Sequence, residues 1–368
     1  MKKRLLFILI LLGIGSGSKA QDTLVSAYKE SVLFNVSATG FIRDAEYFLP
    51  FTKGYTMAGF RIAPTIQYLS PDKEFRMKVG TLLTEVAGMY GFWKMEPILS
   101  MEYWPSNHFG LVLGTLYGSD EHMLEAPLYD PERYYIDYKE DGLQVMVNTS
   151  HFLSDTWVNW EHFLKPWTPD QERFTLGTNN LLISFDRDPI RVSVPATFMG
   201  SHRGGQFTTL DTCIETLFNE MIGISLQFGS TELKANGFFF QNASPTPHTT
   251  FDKGWGLYPN LSHSFAIKMQ NGPMLLGLTL GYWYGNQFQS ARGSWLYQSV
   301  SWHNPDFAQP IRRMITAKLS LSQMINWVKN KAHPSWDLDA EAFYDIDLKK
   351  TDFAIGLKMH LDYSKKLW

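Results

Sequence analysis

The stretch Trp336-Asp-Leu-Asp-Ala-Glu-Ala-Phe-Tyr-Asp-Ile-Asp-Leu348, followed by Phe353-Ala-Ile-Gly-Leu-Lys-Met-His-Leu-Asp-Tyr363, carries an apolar residue at every second position. Side chains alternate across a strand, so both segments read as strands with one greasy face. The other face holds Asp337, Asp339, Glu341, Asp345 and Asp347 in the first segment, and Lys358, His360 and Asp362 in the second. Six or seven such steps span about 20 Å or more, roughly the apolar band of an outer-membrane barrel. Soluble strands average about five or six residues. A soluble sandwich would also leave the acidic row as a one-sided charged surface. The pattern therefore predicts a transmembrane barrel.

The chain opens with basic Lys2-Lys3-Arg4, an apolar run from Leu5 to Ile14 and a small-residue region ending Ser18-Lys19-Ala20. This is the layout of a cleaved Sec signal peptide over residues 1–20, leaving 21–368 as a single barrel domain. The run is half the length of a membrane-spanning helix, and no later stretch approaches eighteen apolar residues, which excludes a helical membrane protein. Aromatic residues make up 15 % of the chain, enough to supply the interfacial girdles of a barrel. The mean hydropathy of −0.19 fits a wall that is apolar on one face only. With a net charge of −3, nothing points to nucleic acid. Cys213 is the only cysteine, so there is no disulfide within the chain and no zinc signature. No metal or other cofactor is expected.

Read for alternation and turn residues, the chain is a run of similar strand units. Residues 32–42 alternate as Val32, Phe34, Val36, Ala38 and Ile42; residues 58–68 do so as Ala58, Phe60, Ile62, Ile66 and Tyr68. Tight polar turns such as Ser70-Pro71-Asp72-Lys73, Asp186-Arg187-Asp188-Pro189 and Gly229-Ser230-Thr231 separate strands. Longer connections fall at 119–131, 200–219, 243–258 and 288–310. Short turns alternating with long loops form the outer-membrane pattern, with both termini periplasmic. The count predicts an all-β, antiparallel, up-and-down barrel of about sixteen strands, fourteen being the nearest alternative. Ser322 to His333 reads as a short periplasmic amphipathic helix, a rim cap or a partner-docking element.

The polar strand faces line the lumen. Arg312, Lys318, Asp337, Asp339, Glu341, Asp345, Lys358 and His360 are the lumen and constriction candidates, with the acidic strand lying between basic neighbours. Five carboxylates on one strand repel unless compensated, so cross-strand pairing with Arg312, Lys318 and Lys358 is expected. Such a row forms either a rigid wall of ion pairs or an unpaired strip that orients polar solutes.

A second cluster, Trp157, Asn159, Trp160 and Glu161, combines indoles with an amide and a carboxylate. That is chemistry suited to sugar rings, although interfacial tryptophans beside a lumenal ion pair would look the same. His202, Arg203 and Gln206 surround Gly204-Gly205 in a long connection, either an inward constriction loop or an exposed turn.

Several short motifs carry a resemblance. Glu46-Tyr47-Phe48, Gly54-Tyr55-Thr56, Trp157-x-Asn159-Trp160-Glu161-x-Phe163, Gln171-Glu172-x-Phe174 and His202-Arg203-Gly204-Gly205-Gln206 resemble a family of uncharacterised, porin-like outer-membrane β-barrels of Bacteroidota. The resemblance spans most of residues 20–230 and implies the outer membrane of a Gram-negative bacterium. It brings no assigned chemistry.

Hydrolase readings meet obstacles. Adjacent His263 and Ser264 point to opposite faces, and Asp120, Glu121, His122 and Glu125 match a protease rim only thinly. An enzyme is not expected. The expected function is a porin-like pore for small hydrophilic or saccharide-like solutes; the alternative is a plugged barrel serving as a binding or assembly partner. Expected partners are outer-membrane lipids or lipopolysaccharide, and the insertion machinery through the C-terminal strand.

Overall fold

The computed structural model describes residues 30–118, 121–163, 165, 167–205, 214–245, 249–270, 272–325 and 332–368. They form sixteen antiparallel strands closed into one barrel, each strand pairing with its neighbours in sequence and the last with the first. The strands are β1 (Ser31–Glu46), β2 (Tyr55–Leu69), β3 (Phe75–Val86), β4 (Lys94–Ser106), β5 (Phe109–Thr115), β6 (Asp141–Asn148), β7 (Phe152–His162) and β8 (Glu172–Arg187). There follow β9 (Ile190–Gly204), β10 (Glu215–Phe228), β11 (Thr231–Asn242), β12 (Lys253–Ile267), β13 (Met274–Asn286), β14 (Ile311–Met324), β15 (Ala332–Asp345) and β16 (Lys350–Lys366). The seam is a continuous register in which Ser37 faces Asp362, Thr39 faces His360 and Arg43 faces Gly356.

Alternation sorts the side chains as the sequence predicts. On β16, Phe353, Ile355, Met359 and Leu361 point outward, Met359 with 62 % of its surface exposed. On the inner face of the neighbouring wall Arg312 is 0 % exposed, as are Asp345 and Asp352. Greasy outside and charged inside is the inverse of a soluble protein, and it suits a wall bathed in hydrocarbon. β16 runs for 17 residues and β1 for 16, ample for a tilted crossing. β5, with seven, and β6, with eight, are the short ones.

An even strand number brings both termini to one end of the barrel, the terminal end. Connections there are tight at 70–74, 107–108, 149–151, 188–189 and 229–230. At the opposite, loop end, residues 116–140 and 287–310 form long connections. The first carries a single helical turn, α1 (Arg133–Ile136), and the second a 3-10 turn at Trp295–Tyr297.

Two expectations change. The helix expected over 322–333 is strand at both ends: Ser322 pairs with Asp337 and Met324 with Ser335, so these backbones belong to the ladder. Residues 326–331 lie outside the described residues. The long connection expected at 200–219 is shorter, because β9 continues through His202 and Arg203, paired with Thr216 and Glu215 of β10. The signal segment, residues 1–20, also lies outside the described residues.

If the outer face meets lipid, Leu319→Arg on β14 should destabilise the refolded barrel by about 2–4 kcal/mol, the penalty for a mid-bilayer cation. Urea unfolding in lipid vesicles would measure it. A change of under half a kcal/mol would mean that this face does not contact lipid.

Candidate functional site in the lumen

A barrel of this width has more interior than its own side chains can fill. Here the two long connections fold into it. Leu128 and Tyr129 from the first, with Phe288, Leu296 and Tyr297 from the second, pack on inward-facing Phe238, Tyr258, Trp283, Met314 and Phe343 of the wall. The two connections also bond each other. The Asp130 amide donates to the Arg292 carbonyl at 2.7 Å, and the Ser294 amide to the Ala126 carbonyl at 2.9 Å. The loop-end half of the lumen is thus a packed core.

Buried charges clamp this plug to the wall. Arg312 on β14 donates from Nε to Asp345 at 3.0 Å, and from its two Nη atoms to the carbonyls of Gln298 (2.7 Å) and Leu296 (3.1 Å). Arg292 pairs with Glu161 of β7 and donates to Thr175 at 2.9 Å. Arg43 on β1 gathers three carboxylates: Glu132, at the start of α1, Asp339 at 2.7 Å and Glu341 at 2.9 Å. Tyr55 donates to the same Glu132. Isolated burial of any of these charges would cost several kcal/mol, so each plug residue is held where its wall partner stands.

His122, like Arg312, is fully enclosed. Its Nδ1 lies 2.7 Å from Asp155 and its Nε2 2.8 Å from Glu140, and its ring stacks on Trp157 at 3.7 Å. Burial alone would lower the pKa of this imidazole, yet the hydrogen bonds to Asp155 and Glu140 raise it to about 9. The same imidazole holds the Glu140 carboxyl below its usual value against the opposing effect of burial. A doubly protonated ring with both donors engaged cannot accept a proton, so His122 is a clamp and not a base.

On the terminal side of the plug the wall charges are less enclosed, Lys318 with 46 % of its side chain exposed. Lys318 pairs with Glu341 at 2.9 Å, directly across the β14–β15 ladder. The Lys358 ammonium lies 4.3 Å from the Tyr134 ring of α1, although its register partner is Asp337. Asp337 instead meets His360 at 3.1 Å, and His360 meets Thr39 across the seam at 3.1 Å.

The family model described as Lipid A 3'-O-deacylase-type matches residues 24–368. The chain belongs to that family. No curated protein matches it. Among solved structures, the outer membrane protein OprD from Pseudomonas aeruginosa is similar at 8 % identity and a TM-score of 0.50, covering 92 % of this chain and 94 % of OprD. The Vibrio cholerae outer membrane protein OmpT has 9 % identity and a TM-score of 0.48 over 91 % of this chain and all of its own. At such identity the OprD likeness concerns the fold alone, that of an outer-membrane β-barrel.

The remaining candidates of this deacylase-type chain are scattered. Trp157 faces inward between His122 and Gly177, where a Cβ would come within 2.3 Å of the indole, so neither face is open to a sugar. Asn159 accepts from the Asp141 amide at 3.1 Å, and Glu161 is taken by Arg292. Trp160 points outward and stacks on Phe174. His202 bonds Thr216 at 2.9 Å and Arg203 donates to Gln171 at 2.8 Å, both on or beside the wall. Gln206 and Asp120 lie outside the described residues. Sequence reasoning passed over Arg43, Thr39 and the wall role of His122, whose partners are distant in sequence.

The His122 clamp has a definite pH dependence. A group whose pKa is raised on folding stabilises fully below its unfolded value, about 6.5, and loses that contribution as pH climbs through about 9. Amide exchange around residues 121–140 should therefore quicken between these pH values beyond its intrinsic base catalysis. In His122→Gln that excess should vanish and the loop should exchange faster already at pH 6. Equal protection in both proteins would remove His122 as the clamp.

Proposed function

We propose that this outer-membrane barrel is an acyl-ester hydrolase, acting on O-acylated saccharides of the kind named in its family's description, lipid A. The packed loop end carries the reading. A lumen filled by two clamped connections suits a protein that holds a substrate against a wall better than one that lets solutes pass. Near full-length membership in a deacylase-type family supports the same chemistry. In this reading the terminal end faces the periplasm and the long loops face outward, following the usual barrel asymmetry. Outer-membrane lipid is the surrounding partner, and the C-terminal strand β16 is the element offered to the insertion machinery.

A second reading keeps the barrel as a porin-like path for small hydrophilic or saccharide solutes. It is favoured by the lysine and carboxylate face below the plug, where Lys318 is half exposed. That route requires the Arg43, Arg292 and Arg312 clamps to release together.

Two measurements separate the readings. Lipid A from cells with and without the protein should differ by one ester-linked acyl chain in mass spectrometry, and the refolded chain should be silent in a planar bilayer. Unchanged lipid A together with stepwise, ion-selective conductance would replace the hydrolase with a pore.

A further inference from the structure

On the outer face of β7 and β8 four polar side chains stand together. Ser154 Oγ donates to Asn180 Oδ1 at 2.8 Å, Asn180 Nδ2 donates to Thr178 Oγ1 at 3.0 Å, and the Thr156 and Thr178 hydroxyls lie 2.8 Å apart. Alternation puts them outside, because their neighbours Asp155, Trp157 and Asn179 face the lumen and grip His122. The two threonines share a single bond, in which one hydroxyl donates and the other keeps its hydrogen for a further acceptor. An acyl chain supplies none.

Register fixes the depth of this cluster. A row of cross-strand partners climbs from Phe75 on β3, at the terminal end, to Asn286 on β13, at the loop end. It crosses eleven strands, and Thr156 and Thr178 stand on the fifth and sixth, half-way up the wall. The charged member of the row, Glu220 on β10, stands nearer the loop end. Apolar side chains bound the cluster on both sides, Phe152 paired with Leu182 toward the terminal end and Trp160 stacked on Phe174 toward the loop end. Headgroups are therefore out of reach, and the cluster lies in hydrocarbon. Beside it the wall is also short. β5 and β6 have seven and eight residues, whereas a tilted crossing takes about nine to eleven. A wall shorter than the apolar layer thins the bilayer around it or draws a protein against it.

We propose that the outer face of β5–β8 is an interface within the membrane, and that its occupant is a second copy of this chain. Serine, threonine and asparagine side chains each donate and accept, so the cluster is complementary to itself. A two-fold axis along the membrane normal lays each cluster against its twin at the same depth, a match that a different barrel would have to acquire separately. In the dimer the spare hydroxyl hydrogens find acceptors across the axis, and the short strands face protein instead of lipid. The contact also braces the plug, since β7 and β8 are the strands that hold His122. Dimerisation of this kind is compatible with either chemistry in the lumen.

The test uses the full mature chain, labelled at its N-terminus and refolded into phosphatidylcholine vesicles, with the heat-modifiable gel shift as the check on folding. Energy transfer between donor- and acceptor-labelled copies, followed as lipid is added, should report a dimer. The triple variant Thr156→Val, Thr178→Val, Asn180→Leu should weaken association by about tenfold or more. Its resistance to urea should stay level or rise, because apolar side chains replace polar ones in hydrocarbon. In a Cys213→Ser background, which removes the one native thiol, Thr156→Cys should cross-link between copies with a short bismaleimide. Ile355→Cys, exposed on the opposite wall, should not. A chain that stays monomeric overturns the proposal, as does a dimer that cross-links through position 355 and not 156. If the triple variant unfolds more easily and associates as before, the cluster is a brace within one barrel and the proposal fails.

Discussion

A strand in hydrocarbon can leave no backbone N–H or C=O unpaired, and in this chain that demand is met at the seam between β1 and β16. Closure defines an inside and an outside, and alternation then assigns every wall residue to one or the other. The same seam sets Arg43 beside the acidic row of β15, so that one guanidinium reaches Asp339, Glu341 and Glu132 of the plug. It also sets Thr39 opposite His360. An open sheet with the same strands would have none of these contacts.

Sixteen strands enclose more volume than their lumenal side chains occupy, and the interior is completed by chain that is not itself wall. The division of labour is plain in the buried residues. Aromatic side chains such as Trp283, Phe288 and Tyr297 fill space, whereas Arg312, Arg292 and His122 fix position. Buried ion pairs contribute little net stability once desolvation is counted; their directional geometry selects a single seat for each connection. The Arg312 guanidinium illustrates this, holding Asp345 and two loop carbonyls at once while lying 3.3 Å from the centre of the Phe51 ring.

Much of this is legible in the residues themselves. The period of two in Trp336–Leu348 and Phe353–Tyr363 identifies wall strands, and Lys318 with Glu341 follows from neighbouring strands in simple register. Other features resist such reading. Trp157 and Asn159 have the composition of a sugar site, but burial under a distant loop residue, His122, changes what the indole can do. The segment after Met324 has helical spacing, yet the ladder extends on both sides of it. A hydroxyl and an imidazole from opposite ends of the chain, Thr39 and His360, stand 3.1 Å apart across the seam.

The sequence alone determined that the chain is a barrel, which face of each strand is apolar and which charged groups share the lumen, because alternation and strand length are local properties of the backbone. Only the tertiary structure decided which groups meet. Pairings across the closing seam, and between the wall and the inward connections, depend on register and on how a loop fills a cavity, and neither quantity leaves a mark on the spacing of residues along the chain.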